Sequence, residues 1–144
     1  MSASKPHLAL LLDRASRVVA DRLARDIGLD GVTGDHWRVL RELADGEGHA
    51  MGAIAERQGI NPPTLTKLID RMVSKSMVQR AADPEDSRRV LVYATDGGLE
   101  LLDELQSRMD RHHAELGALL GKRNARELER LLTLLIDGAE QATA

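Results

Sequence analysis

The chain has no cysteine. Disulfides, thiolate catalysis and cysteine-ligated metal are therefore excluded, as is a switch that works by oxidising a thiol. It has no phenylalanine, and Trp37 and Tyr93 are its one tryptophan and one tyrosine. That supply argues against an aromatic platform for stacking single-stranded bases, and it requires an aliphatic core. No apolar run approaches the roughly 20 residues that span a bilayer. The N-terminal stretch leads into Asp13 and Arg14 and reads as no secretory signal. A cytoplasmic protein with no membrane partner is the expectation. A Gly-rich phosphate loop, a nucleophile elbow and a His-x-x-x-His spacing are also missing, so neither an enzyme nor a cofactor is expected. His112 and His113 are adjacent, which on a helix points them about 100° apart. They cannot chelate one metal together, and no metal site is expected.

What is present is a chain of 144 residues, 30% charged and 42% apolar. That is the size of one domain able to bury a core, with the balance of a soluble folded chain. The net charge of −3 is unevenly spread. Residues 57–89 carry seven basic side chains (Arg57, Lys67, Arg71, Lys75, Arg80, Arg88, Arg89) against four acidic ones (Asp70, Asp83, Glu85, Asp86). This stretch is +3, which leaves the rest of the chain at −6. For nucleic-acid binding the distribution matters more than the total.

Helical periodicity predicts a first helix from about Pro6 to Ile27, capped by Ser4 and ended by Gly28. Leu8, Leu11, Leu12, Ala15, Val18, Val19 and Leu23 form its stripe. A second helix is predicted over Gly34–Ala44, capped by Thr33, with Trp37, Leu40 and Leu43 inward. A third runs from Met51 to Gln58 and stops at Gly59; Ala50 gives it no capping side chain. In the fourth, Asn61 is the cap and Pro62 the first helical residue. Its apolar stripe is Leu65, Leu68, Ile69, Met72 and Val73. Met51, Met72 and Met77 read as core. Met77–Arg80 and Arg89–Tyr93 read as a β-hairpin around a Pro84-containing acidic turn. Thr95-Asp96 opens a fifth helix, whose apolar positions run from Leu99 to Leu120. Gly121 interrupts it, Asn124 and Glu127 form a capping box, and a sixth helix ends at Gly138.

The third helix, the Gly59-Ile60 turn and the fourth helix make a helix–turn–helix, whose second helix enters the major groove by its N-terminal residues. Asn61, Thr64 and Thr66 are short polar groups for bases or phosphates, and Lys67 reaches further. Free N–H groups at the helix start favour phosphate. The plainer alternative is a cap and a solvated face. Asp86 and Arg88, read as two apart on one strand, share a face, so the carboxylate can hold the guanidinium for the minor groove. The plainer alternative there is a surface ion pair worth ~0–1 kcal/mol. Arg89 points the other way and is a candidate phosphate contact. The fold class is mainly α with a small β-hairpin wing.

The segment Asn61-Pro-Pro-Thr-Leu-Thr-Lys-Leu-Ile-Asp-Arg-Met-Val, with Asp83-Pro-Glu-Asp-Ser-Arg-Arg-Val-Leu-Val, resembles the MarR family of bacterial transcription regulators. Asp86 and Arg88 match its Asp-x-Arg wing signature, and Thr95 and Gly98 its Thr-x-x-Gly. Trp37-Arg-Val-Leu-Arg-Glu-Leu resembles its second helix. Ala94, Ser76 and Ala50 depart from the Leu, Gly and Ser common at those places. The resemblance implies a winged helix–turn–helix lobe over 33–95, with Pro62, Pro63 and Arg71 added to the DNA-facing residues. It implies homodimerisation through residues 1–32 and 96–144. Leu8, Leu11, Leu12, Leu116, Leu120, Leu128, Leu131, Leu132 and Leu135 are the candidates, stripes that a monomer would struggle to bury. A two-fold dimer would set its recognition helices ~34 Å apart on a pseudo-palindromic operator. The resemblance also implies ligand-controlled repression from a pocket for which Arg14, Arg17, His36 and Trp37 are candidates. Core packing is the competing role for Trp37. The competing function is a winged-helix adaptor that binds protein and has no affinity for duplex.

Overall fold

The computed structural model describes residues 5–144. In chain order it contains α1 (Leu8–Ile27), α2 (Gly34–Glu42), a 3₁₀ turn (Leu43–Asp45) and β1 (His49–Ala50). There follow α3 (Met51–Gln58), α4 (Pro62–Ser74), β2 (Val78–Ala82), β3 (Val90–Ala94), α5 (Asp96–Leu120) and α6 (Lys122–Thr143). The described residues up to Met109 form one compact unit, and Asp110–Ala144 form a second.

The first unit closes over an aliphatic core. Ile27 of α1, Val39 and Leu40 of α2, Leu43, Ile54 of α3, the α4 stripe Leu65, Leu68, Ile69 and Met72, and Leu105 of α5 are buried together. Val78 and Val92 close the same core from the sheet. The predicted α4 stripe is thus its buried face, with Val73 at the margin. Met72 and Met77 are core, and Met51 packs against it.

The sheet has the order β1-β3-β2, antiparallel throughout. Val78 pairs with Ala94 and Ala82 with Val90, so the hairpin strands lie one to two residues beyond the predicted ones. The short strand β1 was not expected; His49 pairs with Val92 and Ala50 with Leu91. It holds the chain extended into α3, whose start has no side-chain cap bond.

Several ends differ from expectation. Helix α1 starts at Leu8 behind His7, which makes no side-chain cap bond; Ser4, the expected cap, lies outside the described residues. Gly28 ends α1 in the left-handed region, as predicted. Helix α2 tightens into the 3₁₀ turn at Leu43, before the expected end at Ala44. Asn124 does not cap α6. Helix α6 starts at Lys122 directly after Gly121 (φ 82), and the Asn124 amide donates to Leu120 O at 3.0 Å. Glu127 instead accepts Arg130 at 2.7 Å, which lowers its carboxyl pKa. Gly138 does not end α6, which runs on to Thr143; a lone glycine costs a helix only ~1 kcal/mol.

The start of α5 explains Thr95 and Gly98. The Thr95 N–H donates to Met77 O at 3.1 Å, and its hydroxyl donates to Ser76 O while accepting Gly98 N–H at 3.0 Å. A Cβ at 98 would overlap Met77 O. The pair fastens α5 to the end of the α4 turn and is a packing device.

Candidate nucleic-acid interface

Two helix ends set the aim of α4. Gly59 (φ 61) ends α3 with Ile60 N–H donating to Ala55 O at 3.0 Å and Gly59 N–H to Glu56 O at 3.3 Å. This is the paired C-terminal motif that a left-handed glycine permits, and Ile60 is buried behind it. The end of α3 is also tied back to α2. The Glu42 carboxylate, 8% exposed, accepts Gln58 Nε2 at 2.7 Å and Arg57 Nη1 at 3.2 Å. His49 Nε2 lies 2.8 Å from Asp45 Oδ2, which joins β1 to the same edge. The sequence reading missed this polar strut, because its members are 15 and 16 residues apart from Glu42 and only the fold brings them together.

At the start of α4 the structure changes one expectation. Asn61 holds the cap position but makes no side-chain cap bond. Pro62 and Pro63 occupy the first two helical positions and carry no N–H. Two of the donors that would have drawn a phosphate are absent, leaving the N–H groups of Asn61 and Thr64, because Leu65 N–H already donates to Asn61 O. The start of α4 therefore offers exposed side chains more than free backbone donors. Thr64, Lys67 and Arg71 are exposed and stand at spacings that align on one face. Thr66 is exposed, and its hydroxyl donates back to Pro62 O at 3.0 Å. Asp70, the acidic residue on this helix, is ion-paired with Arg80 of β2, so the face remains positive.

The wing also departs from expectation. Asp86 and Arg88 lie in the loop between β2 and β3, not on a strand. A turn brings them together: Asp86 Oδ1 accepts Arg88 N–H at 3.1 Å and Arg88 Nε at 3.2 Å. The loop is closed by Asp83 N–H to Arg89 O at 2.8 Å and Arg89 N–H to Asp86 O at 2.9 Å. Asp83 Oδ1 accepts Glu85 N–H at 2.9 Å. The Arg88 side chain is 91% exposed, held by one nitrogen with the rest of its guanidinium facing solvent. Arg89 is exposed beside it.

A model of the MarR family matches residues 30–89, the stretch from just before α2 to the loop of the wing, short of β3. An HTH-type transcriptional regulator of Mycobacterium leprae is 30% identical over 102 residues, 64% of this chain and 71% of that protein. The chain belongs to the MarR family of transcription regulators. The fold agrees along most of its length with solved relatives. The repressor CouR, solved on a 23-mer DNA duplex, is 25% identical with a TM-score of 0.84 over 90% of this chain and 92% of that one. A cysteine-to-serine variant of MarR from Escherichia coli, solved with operator DNA, is 25% identical with a TM-score of 0.81 over 89% and 92%. As a MarR-family chain this is a winged helix–turn–helix DNA-binding regulator, and α4 and the wing are the elements that the helix–turn–helix mode would place on DNA.

The four residues suggested for a MarR-type ligand pocket do not assemble. Arg14 and Arg17 are exposed on α1, and Arg17 is ion-paired with Asp13. His36 is buried in the start of α2, where its Nδ1 accepts Thr33 N–H at 3.1 Å and lies 3.0 Å from the Thr33 hydroxyl. Burial, then the cations of Arg71 and Lys75, lower its pKa from 6.5, against an opposing pull from Asp35. Of the four, Trp37 lines a cavity of about 390 Å³, whose wall also comprises Ala20, Leu23 and Ala24 of α1, Thr33, Gly34, Asp35 and Arg38 at the start of α2, and Met109 of α5. Its indole N–H donates to Gln106 Oε1 at 3.4 Å, and Arg41 lies over its ring at 5.2 Å. Packing and cavity lining are both its roles, since it also meets the core margin.

Among the described residues no three His, Asp or Glu side chains gather as metal ligands. No described helix is long and apolar enough to cross a membrane.

Proposed function

We propose that the chain is a ligand-responsive repressor that binds a pseudo-palindromic operator as a homodimer. Helix α4 reads the major groove through Asn61, Thr64, Thr66 and Lys67, with Pro62, Pro63 and Arg71 against the backbone. The wing sets Arg88 into the minor groove, oriented by Asp86, and Arg89 on phosphate. The observation that carries this reading is Arg88: an almost fully exposed guanidinium on a hairpin tip, held in one direction by a turn carboxylate. Arginine suits the narrow, electronegative minor groove. The repressor CouR, similar over nine-tenths of this chain, was solved on duplex DNA, which supports the same mode here.

Dimerisation is supported by apolar side chains left facing solvent. Leu8, Leu11, Leu120, Leu128, Leu131 and Leu135 are exposed, with Leu12, Leu116 and Leu132 half-buried. Leu10, Leu134 and Ile136 extend the apolar surface beyond the predicted stripes. Such surfaces mark interfaces. The protein is placed in the cytoplasm, on the nucleoid.

The test selects duplexes from genomic fragments and measures binding of the best and of a random duplex at two salt concentrations. The expected result is tight, salt-sensitive binding to an inverted repeat. Arg88→Ala should weaken binding to both duplexes. Operator binding unchanged in Arg88→Ala would remove the wing assignment. No duplex affinity at ~100 mM salt would favour a protein-binding adaptor instead.

A further inference from the structure

We infer that Glu42 is a positioning residue for DNA recognition: together with Asp45 it fixes the angle between α4 and the wing from the end of α2. This rests on the reading that both elements meet the duplex together. Glu42 is the last residue of α2, and its carboxylate is 8% exposed. It accepts Gln58 Nε2 at 2.7 Å and Arg57 Nη1 at 3.2 Å from the last turn of α3. Asp45, in the 3₁₀ turn that follows, accepts Glu47 N–H at 2.9 Å and lies 2.8 Å from His49 Nε2 of β1. The backbone bond from Glu47, then the contact with His49, hold the Asp45 carboxyl below the usual carboxylate range, so Asp45 accepts and His49 donates. One arm thus reaches α3, and the other reaches the sheet.

Each arm ends close in sequence to a DNA-facing element. Gln58 stands four residues before Pro62, where α4 starts, and His49 pairs with Val92, four residues after Arg88. Helix α2 itself gives no reason for Glu42, because a carboxylate at a helix C-terminus faces the negative end of the dipole. Its partners on α3 give the reason. Ile54 and Ala55 bury α3 in the core, but apolar contact is non-directional. Hydrogen bonds prefer a narrow range of angles, and a nearly buried carboxylate holds its donors more firmly than one in water. Specific binding needs α4 and Arg88 in their grooves at once. A fixed angle offers both without further ordering, whereas attraction to phosphate needs only charge. Loss of the strut therefore lowers specific binding and spares binding to random duplex.

The chain has no cysteine, so Thr66→Cys and Val90→Cys, both at exposed positions, take two spin labels without background. Pulsed electron–electron resonance on labelled full-length chain, diluted into unlabelled chain, reads the distance from α4 to the wing without DNA. Affinities for the best duplex selected from genomic fragments and for a random duplex are measured on the unlabelled variants. The expected result is a narrow distance distribution in the parent, broadened by Glu42→Gln and by Gln58→Ala. Both variants should bind the selected duplex ~10-fold more weakly, the size of one mismatched base pair, with random-duplex affinity within ~2-fold and the salt slope unchanged. Glu42→Gln combined with Gln58→Glu exchanges carboxylate and amide across the contact and should restore the narrow distribution and the affinity ratio. Ile27→Val removes one methyl group from the buried core, lowers stability away from the strut, and should keep the parent's distribution and ratio. A broad distribution in the parent, or a parent-like one in both Glu42→Gln and Gln58→Ala, overturns the proposal. So does broadening with an unchanged affinity ratio, an exchange that restores neither readout, or an Ile27→Val variant that behaves as Glu42→Gln does. The distance readout involves no DNA, so failure of the strut and failure of the DNA-binding reading, scored by Arg88→Ala, are distinguishable.

Discussion

Ser76 is the one non-glycine residue among those described with a positive φ, 59°. It ends α4 by the same paired motif that Gly59 uses for α3: Ser76 N–H donates to Val73 O at 3.0 Å and Met77 N–H to Met72 O at 2.9 Å. A side chain in this region costs ~1–2 kcal/mol, and glycine, common at this place in the resembling family, avoids that cost. Part of the gain is lost to the greater freedom of glycine in the unfolded chain. Ser76→Gly should therefore raise stability by ~0.5–1 kcal/mol, seen as a higher urea midpoint at unchanged slope. A midpoint that stays put or falls would mean that the Ser76 side chain contributes more than its backbone strain costs. Gly98 predicts the reverse. Gly98→Ala drives a methyl group into Met77 O, and a drop in midpoint of the size seen for overpacked sites, ~1–3 kcal/mol, is expected. Arg88 and Asp86 differ in kind, because neither is buried and their pairing is worth ~0–1 kcal/mol. Asp86→Ala should leave stability nearly unchanged and weaken operator binding less than Arg88→Ala, since the guanidinium remains and only its orientation is released. Anisotropy titrations of both variants beside the wild type give that order or refute it.

Helix α2 carries a pH dependence set at its first turn. His36 accepts Thr33 N–H at Nδ1, which leaves its proton on Nε2 and keeps the ring neutral. Its pKa is lowered from 6.5 by burial and by Arg71 and Lys75. In the unfolded chain the imidazole takes up a proton as pH falls through about 6.5, while the folded protein resists it. The unfolded state then binds more protons, so stability falls as pH falls below that value and is unaffected well above it. Urea unfolding at a series of pH values should show this loss in the wild type, and a shallower one in His36→Gln; parallel profiles would mean that His36 does not carry it. Legibility in the sequence divides along the same local-versus-distant line. The long helices declared themselves by stripe and cap, as at Leu65–Met72 and Gly28, because those signals are local. Strand β1 did not, since His49 and Ala50 are two residues whose strand character comes from pairing with Val92 and Leu91. The Asp86–Arg88 contact was anticipated, but by strand alternation, whereas an Asx-type turn creates it. The pocket was expected at Arg14, Arg17, His36 and Trp37 by family analogy, and of these four Trp37 lines the cavity. Four of its nine lining residues are alanine, leucine or methionine, which carry no chemical signature in a sequence.

At the scale of the molecule the two units are stabilised unequally. The first has a closed core, whereas α6 in the second buries none of its 22 residues. Leu128, Leu131, Leu134, Leu135 and Ile136 are all exposed on it, a solvent-facing apolar surface that invites a partner. A second copy of the chain is the partner that also serves the reading of a two-fold operator. Each protomer then supplies one α4 and one Arg88, and the second half-site binds at an effective concentration of millimolar order. The double variant Leu131→Glu, Leu135→Glu places charge on that surface without touching the residues proposed for DNA or the buried core of the first unit. Sedimentation should show a dimer for the wild type and a monomer for the variant, with the helical circular dichroism of the first unit kept. Operator affinity should fall by ~100-fold or more, because tethering of the second half-site is lost. Affinity for a random duplex should fall far less, since one positive α4 face and one wing suffice for phosphate attraction. A variant that stays dimeric would show that α6 is not the interface. A monomeric variant with wild-type operator affinity would show that one protomer reads the site alone.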